Sequence, residues 1–276
     1  MRFLPLFALL IASCAAPVPP GPSPPPEATA EKPAAEANTS TPQASAPPLK
    51  SSGPIQAPRF VRTHFSGIAI EAVAFDSRSH RLVVADQAGG PGSTWPDSRA
   101  AGKALGGLAA INASFFTPEG QPLGQVVANR QRTGAINRAS SLGAGFFIGD
   151  PSGTLRLIRR DQFRNAREAI QSGPFLIEND RLISGLSNKQ SSARSFIAWD
   201  GGSRWVIARS GACSLASLAQ ALKGQSLGGS PLTNVLNLDG GRSSEIWVSP
   251  ALNGGPHFER PFWNKAVRNF LVLKPR

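Results

Sequence analysis

From residue 59 onward, short apolar runs alternate with glycine-containing turns, the pattern of strands joined by tight connections. The runs at residues 67–75, 81–85, 108–112, 123–128, 145–148, 155–158, 175–177, 196–199, 205–208, 235–238, 245–248 and 268–273 predict strands. Their close spacing predicts antiparallel pairing. One helix stands out: Ser214 is placed to cap it, Leu215, Leu218, Ala219 and Leu222 form an apolar stripe, and Gly224 stops it. Weaker helical patterns cover 98–105 and the region around 161–167. No unit repeats at a fixed period. The expected class is α+β, a single β-rich domain with mostly antiparallel sheet and a few packing helices.

Two Asp-Gly-Gly runs interrupt this pattern. Asp200-Gly201-Gly202 lies between two strand-like runs and reads as a hairpin turn. Asp239-Gly240-Gly241 ends the run 235–238 and is followed by Arg242, Ser243 and Ser244. Side chains alternate along a strand, so Asn237 and Asp239 share one face while Leu236 and Leu238 share the other. A strand end carrying a carboxylate, flexible glycines and hydroxyls suits a site, yet it suits a hairpin equally well. The local pattern leaves both readings open.

The N-terminal region follows other rules. Residues 1–13 carry Arg2, a short apolar run and small residues, which predicts a secretory signal too short to span a bilayer. The run Ile11-Ala12-Ser13-Cys14 resembles a bacterial lipobox, with Cys14 as the lipidated residue and a membrane as its partner. Several acyl chains on one residue, at ~0.8 kcal/mol per buried CH₂, would anchor it firmly. Residues 14–58 are rich in Pro, Ala, Ser and Thr and are expected to form a disordered tether. In the polyproline conformation, at ~3.1 Å per residue, its reach is on the order of 100 Å. The folded domain is expected over 59–276. An exported protein of the cell envelope follows, anchored to the outer membrane where the source has one. We expect a monomer.

Charge sharpens the choice of partner. The chain carries 29 basic and 17 acidic side chains, a net charge of +12. The signal contributes Arg2 and the tether is slightly acidic, so the excess falls on the domain. A basic exported domain favours anionic partners such as phosphorylated glycans. The arginines are dispersed and no helix-turn-helix or zinc-finger pattern occurs, which argues against nucleic acid. His64, His80 and His257 lack metal-ligand spacing. There is no G-x-S-x-G elbow, S-x-x-K, P-loop or dinucleotide fingerprint. Cys213 has no partner once Cys14 is lipidated, and it reads as a small buried hydrophobe.

Other polar punctuation falls at strand ends. Asn112 and Ser114 follow the run 108–111, Ser172-Gly173-Pro174 precedes 175–177, and Arg194 opens 195–199. Each alone is compatible with an ordinary turn, cap or surface charge. In order, however, these segments resemble the phosphodiester glycosidase family. The resemblance rests on residues 112–116, 120–124, Ser172-Gly173-Pro174, Arg194, 215–222, 238–243 and 268–273, and it covers roughly 66–274. Two departures are Ala113-Ser114, where the family usually has glycine after the Asn, and Arg242, where it often has a small residue.

The resemblance implies an envelope hydrolase that cleaves the sugar C1–O bond of a phosphodiester-linked glycan and leaves a phosphomonoester. It implies Asp239 as acid/base or charge-stabilising carboxylate and Arg194 as the group neutralising the anion. Asn112, Ser172 with Gly173, and Ser243 would orient sugar or phosphate. The N–H groups of Gly240 and Gly241 would form an anion nest, and Arg242 would bind an anion or narrow the pocket. Glycoside cleavage commonly uses two carboxylates; Glu119 and Glu245 are the candidates for the second. No cofactor is evident, although a divalent metal held by Asp239 and backbone oxygens is compatible with the pattern. The alternative is a non-catalytic module binding anionic cell-envelope glycans. A structural envelope lipoprotein with a degenerate site is a third reading.

Overall fold

The structure, a computed structural model, describes residues 53–276. The expected signal, Cys14 and most of the expected tether lie outside the described residues.

Three sheets surround one core. The first has seven strands in the order β1 (Arg59–Phe65), β2 (Ile68–Asp76), β13 (Arg204–Cys213), β12 (Ser192–Trp199), β16 (Asn234–Asn237), β10 (Phe175–Glu178) and β11 (Arg181–Leu182). The second runs β18 (His257–Glu259), β17 (Ile246–Val248), β4 (Ala109–Asn112), β19 (Asn269–Pro275) and β3 (His80–Asp86). The third runs β6 (Gln131–Thr133), β5 (Val126–Ala128), β9 (Glu168–Ser172), β7 (Gly145–Gly149) and β8 (Leu155–Arg159). A small hairpin pairs β14 (Ser226–Leu227) with β15 (Ser230–Pro231). Every pairing within the sheets is antiparallel. This is the expected β-rich α+β class.

The alternation read from the sequence explains the layers. Val73, Ile207, Leu236 and Leu238 of the first sheet or its extensions meet Ile111 and Leu271 of the second and Phe147 and Ile170 of the third. The opposite face of the first sheet is covered by α2 (Leu215–Leu222) through Leu218, Ala219 and Leu222. Its cap is as expected: Ser214 Oγ accepts the Ser217 N–H at 3.0 Å. The outer face of the second sheet is covered by α1 (Ser98–Ala104), where Ala101 packs with Ala110, Trp247 and Phe270. Gly102 is required there, because a Cβ would lie 2.4 Å from the Trp247 ring.

Asp200 does form the hairpin turn between β12 and β13, its Oδ1 accepting the N–H groups of Gly202 and Arg204 at 2.7 and 3.1 Å. Around 161–167 the expected helix is absent. A single 3₁₀ turn spans Arg160–Gln162, and Phe163 and Ala166 reach the outer face of the third sheet beside Phe146. Two apolar positions in seven provide no helical stripe to bury. The run 123–128 is a strand only over Val126–Ala128, whereas β1, β6, β9, β11, β14, β15 and β18 go beyond the expected strands.

Candidate active site

The first and second sheets meet at one end of β4, where β16, β17 and β19 also begin or end. Asp239 sits at this junction, immediately after β16. It is no hairpin turn. Its N–H donates to Ala113 O at 2.9 Å, and its carbonyl accepts from Asn112 Nδ2 at 2.6 Å. The aspartate backbone is thus clamped to two consecutive residues at the end of β4, which fixes where its side chain can point.

Asn112 completes the clamp. Its side chain is fully buried, and its Oδ1 accepts from Ser195 Oγ at 2.6 Å and from the Glu245 N–H at 3.1 Å. Ser195 Oγ also lies 2.8 Å from Ser244 Oγ. The sequence reading assigned Asn112 to the substrate; the structure gives its side chain protein partners at Asp239, Ser195 and Glu245, which set it behind Asp239. Ser114 does similar work one step on, exchanging hydrogen bonds with Asn269 at 2.8–3.1 Å.

Asp239 as a whole is half-buried at the rim of this network. Burial pushes its pKa up to about 6, while hydrogen bonds from Ser243 and the Gly240 N–H pull it down. These contacts reassign two expected anion ligands: Ser243 and Gly240 N–H serve the carboxylate of Asp239 itself. Gly241 adopts φ +61° and starts the 3₁₀ turn Gly241–Ser243, a backbone shape that favours glycine.

Glu245 is the other carboxylate of the junction, but it lies beneath it. Its side chain is fully buried, accepts the Ser98 N–H at 3.1 Å and lies 2.9 Å from Arg260 Nε. Burial pushes it up to about 8, opposed by Arg260 and reinforced by Asp97. Enclosed in this way it supports the floor of the site and is not placed to meet a substrate, which corrects its candidacy as a second catalytic carboxylate. Glu119 is exposed in the turn after Thr117.

Arg194 runs beside the Asp-Gly-Gly loop; a Cβ on Gly240 would lie 3.5 Å from Arg194 Cδ. Its guanidinium donates to Cys213 O at 3.1 Å and Gln190 O at 2.7 Å. Two of its nitrogens are therefore spent on backbone carbonyls at the end of β13 and before β12, while its aliphatic stem lies beside Gly240. Arg242 is exposed and donates to Trp263 O through Nε and Nη2 at 3.2 and 2.9 Å. It ties the Asp239 loop to a rim segment whose Phe262 and Trp263 are 90% and 54% exposed and pack edge to face. Asn264 secures the same segment by donating to Ser244 O at 3.0 Å.

Ser172 and Gly173 approach from the third sheet. Asn237 joins them to β16: its N–H donates to Pro174 O and its Nδ2 to Gly173 O, both at 3.0 Å. Ser172 Oγ and Asn237 Oδ1 are buried and have no hydrogen-bond partner among the described residues. Gly173 is obligatory, since a Cβ would lie 2.2 Å from Ser141 O. The neighbouring loop hangs on Gln171. Its Oε1 accepts from Gln125 N and Asn137 N at 3.1 and 2.8 Å, and its Nε2 donates to Asn137 O and Gly143 O, both at 2.8 Å.

Of the residues marked from sequence, the fold gathers Asn112, Arg194, Asp239, Gly240, Gly241, Arg242 and Ser243 around one loop, with Ser172 and Gly173 joined through Asn237. Ser195, Arg260, Asn264 and Trp263 were missed, and Ser244 was noted only as part of the run after Asp239. Their signal was proximity to marked residues, and a lone serine in a strand or arginine in a loop carries no local signature. Among the described residues, no group of three or more His, Cys, Asp or Glu is arranged to hold a metal.

Residues 106–274 match the sequence profile of the phosphodiester glycosidase family. The fold is similar to the catalytic domain of zebrafish N-acetylglucosamine-1-phosphodiester alpha-N-acetylglucosaminidase, auto-inhibited by its pro-peptide. That match has 18% identity and a TM-score of 0.58 and covers 83% of this chain and 86% of that one. It is similar as well to a hypothetical protein from Synechocystis, with 19% identity and a TM-score of 0.58, over 85% of this chain and 65% of that one. No curated protein matches the sequence.

Proposed function

The chain belongs to the phosphodiester glycosidase family, and from that premise we propose that it hydrolyses a sugar joined through its C1 oxygen to a phosphodiester-linked glycan. The observation that carries the reading is Asp239, a half-buried residue whose carboxylate has a pKa near 6, locked by its backbone at the junction of two sheets. At pH 7 it is mostly ionised. It is then suited to accept a proton from the attacking water and to stabilise positive charge developing at C1. The water oxygen bonds to C1, the C1–O bond breaks, and the phosphate leaves with the bonding electrons as a phosphomonoester. A phosphate is a good leaving group without protonation, so one carboxylate suffices, in keeping with the enclosure of Glu245.

Ser172 Oγ and Asn237 Oδ1 are enclosed and have no partner among the described residues, so they belong to the wall of the site rather than to its open surface. The exposed rings of Phe262 and Trp263 offer apolar faces to a sugar at the rim. The N-terminal signal and lipobox support action at the cell envelope.

A module that binds anionic glycans without turnover is the second reading, favoured by the chain's excess of 29 basic over 17 acidic side chains. Incubation with sugar-1-phosphodiester glycans separates the two. Release of free sugar with a new phosphomonoester end, lost in Asp239→Asn, supports the hydrolase. Binding without release, unchanged by that substitution, overturns it.

A further inference from the structure

A cavity of about 480 Å³ opens beside β3, bordered by Arg81, Arg167, Lys274 and Arg276. It lies toward the opposite end of the second sheet from Asp239. Strand β19 begins at Asn269, next to the clamp, and Lys274 is five residues on, roughly 16 Å away at ~3.3 Å per residue.

Two carboxylates also border the cavity, but both are engaged. Asp150 accepts from Ser152 Oγ and from the Thr154 N–H at 2.5 and 2.9 Å. Glu168 accepts the Val84 N–H at 2.8 Å and the Asn129 N–H at 3.2 Å, with Arg167 Nε 4.0 Å away. Arg276 donates to Ser77 O and Gly153 O. Four cations thus face two carboxylates.

Arg81 and Lys274 are direct cross-strand partners. Like charges placed opposite one another destabilise a sheet, and neither forms a salt bridge among the described residues. Arg81 Nε is buried without a hydrogen-bond partner. The backbone adds a donor. Gln87 N–H bonds to Arg268 O, so odd-numbered residues of β3 pair with β19 and even-numbered ones face the free edge. Glu168 occupies Val84 N–H there, and Leu82 N–H is turned toward the cavity that Leu82 lines.

We propose that this cavity binds a phosphate group, presented by a phosphodiester-linked glycan, at a site separate from Asp239. Guanidinium and ammonium groups around an edge N–H match the oxygens of a phosphate, and the anion relieves the Arg81–Lys274 repulsion. The identity of the carrier rests on the hydrolase reading; phosphate binding does not.

The test uses the full chain at low ionic strength, with inorganic phosphate and a sugar-1-phosphodiester glycan as probes and sodium chloride at matched ionic strength as control. Phosphate should raise the melting temperature of the wild type and of Asp239→Asn beyond the chloride control. In the Arg81→Gln, Lys274→Gln double variant the phosphate Kd should weaken at least tenfold. Glycan binding should weaken in it likewise, while release of sugar from a small sugar-1-phosphodiester continues. Lys274→Gln alone, expected to weaken phosphate about threefold, serves if the double variant does not fold. Equal phosphate Kd in variant and wild type, or no effect beyond chloride, overturns the proposal. Loss of hydrolysis in Asp239→Asn with this Kd unchanged reports on the hydrolase reading separately.

Discussion

Replacing Asn112 by alanine tests whether this residue serves the substrate or the protein. The side chain makes three hydrogen bonds, to Asp239 O, Ser195 Oγ and Glu245 N–H, in a fully buried setting. Ser195 keeps Ser244 Oγ as a partner after the truncation. Asp239 O and Glu245 N–H are left orphaned. At about 1–3 kcal/mol for each unsatisfied buried group, the loss is about 2–6 kcal/mol, a large share of the ~5–15 kcal/mol of an ordinary domain. Urea unfolding with an unchanged m-value would measure it as a lowered midpoint. Turnover should fall as well, because Asp239 loses half of its backbone clamp. A stability loss under about 1 kcal/mol accompanied by abolished turnover would refute the argument. It would mean that Asn112 contacts the sugar, as its sequence position suggested.

Asp239→Asn should stabilise the protein at pH 8 by about 1–3 kcal/mol and leave it nearly unchanged at pH 4, read from melting curves. The folded pKa near 6 lies above the ordinary 3.8, so as pH rises the unfolded chain loses its proton first. Wild-type stability therefore falls between about pH 4 and 6 and stays lower above it. Gly173→Ala should cost at least the upper end of the ~1–3 kcal/mol usual for overpacking, since the added methyl meets Ser141 O; soluble yield and melting temperature report it, and a variant as stable as wild type would show that the loop gives way. Trp263→Ala should change stability by under about 0.5 kcal/mol, the ring being more than half exposed. It should raise KM several-fold with kcat held, and an unaltered KM would remove this ring from the binding surface.

How far the sequence could be read depended on what held each segment in place. Strands buried by apolar alternation, such as those containing Ile111, Ile207 and Leu236, were visible, and so was α2 with its serine cap. Strand β9 was invisible because Glu168, Gln171 and Ser172 are all buried within it. Glu168 and Gln171 are inside because they satisfy backbone groups of other segments, and hydropathy cannot anticipate partners 28 to 84 residues away. The site shows the same divide. Asp239 stood out by its glycines, and the ordered motifs drew Asn112 and Arg194 toward it. Which of them faces outward is decided by hydrogen bonds made only after the sheets meet. Asn112 and Glu245 turned inward for that reason, while Trp263 gained importance through Arg242, a residue that first appeared only as a departure from the family pattern.

Gln171 has a consequence for binding. Both lone-pair directions of its oxygen and both hydrogens of its amide are occupied, one by Gln125 ahead of β5 and three by Asn137 and Gly143 of the loop before β7, so the wall beside Ser172 and Gly173 is already in place before any ligand arrives. A wall that is set in advance loses little conformational entropy when a ligand binds. The site should therefore discriminate by fit, admitting glycans that match it and gaining little by reshaping around those that do not. Variation among relatives in what they accept would then be carried by exchange of whole rim segments such as 260–266, with this wall kept constant.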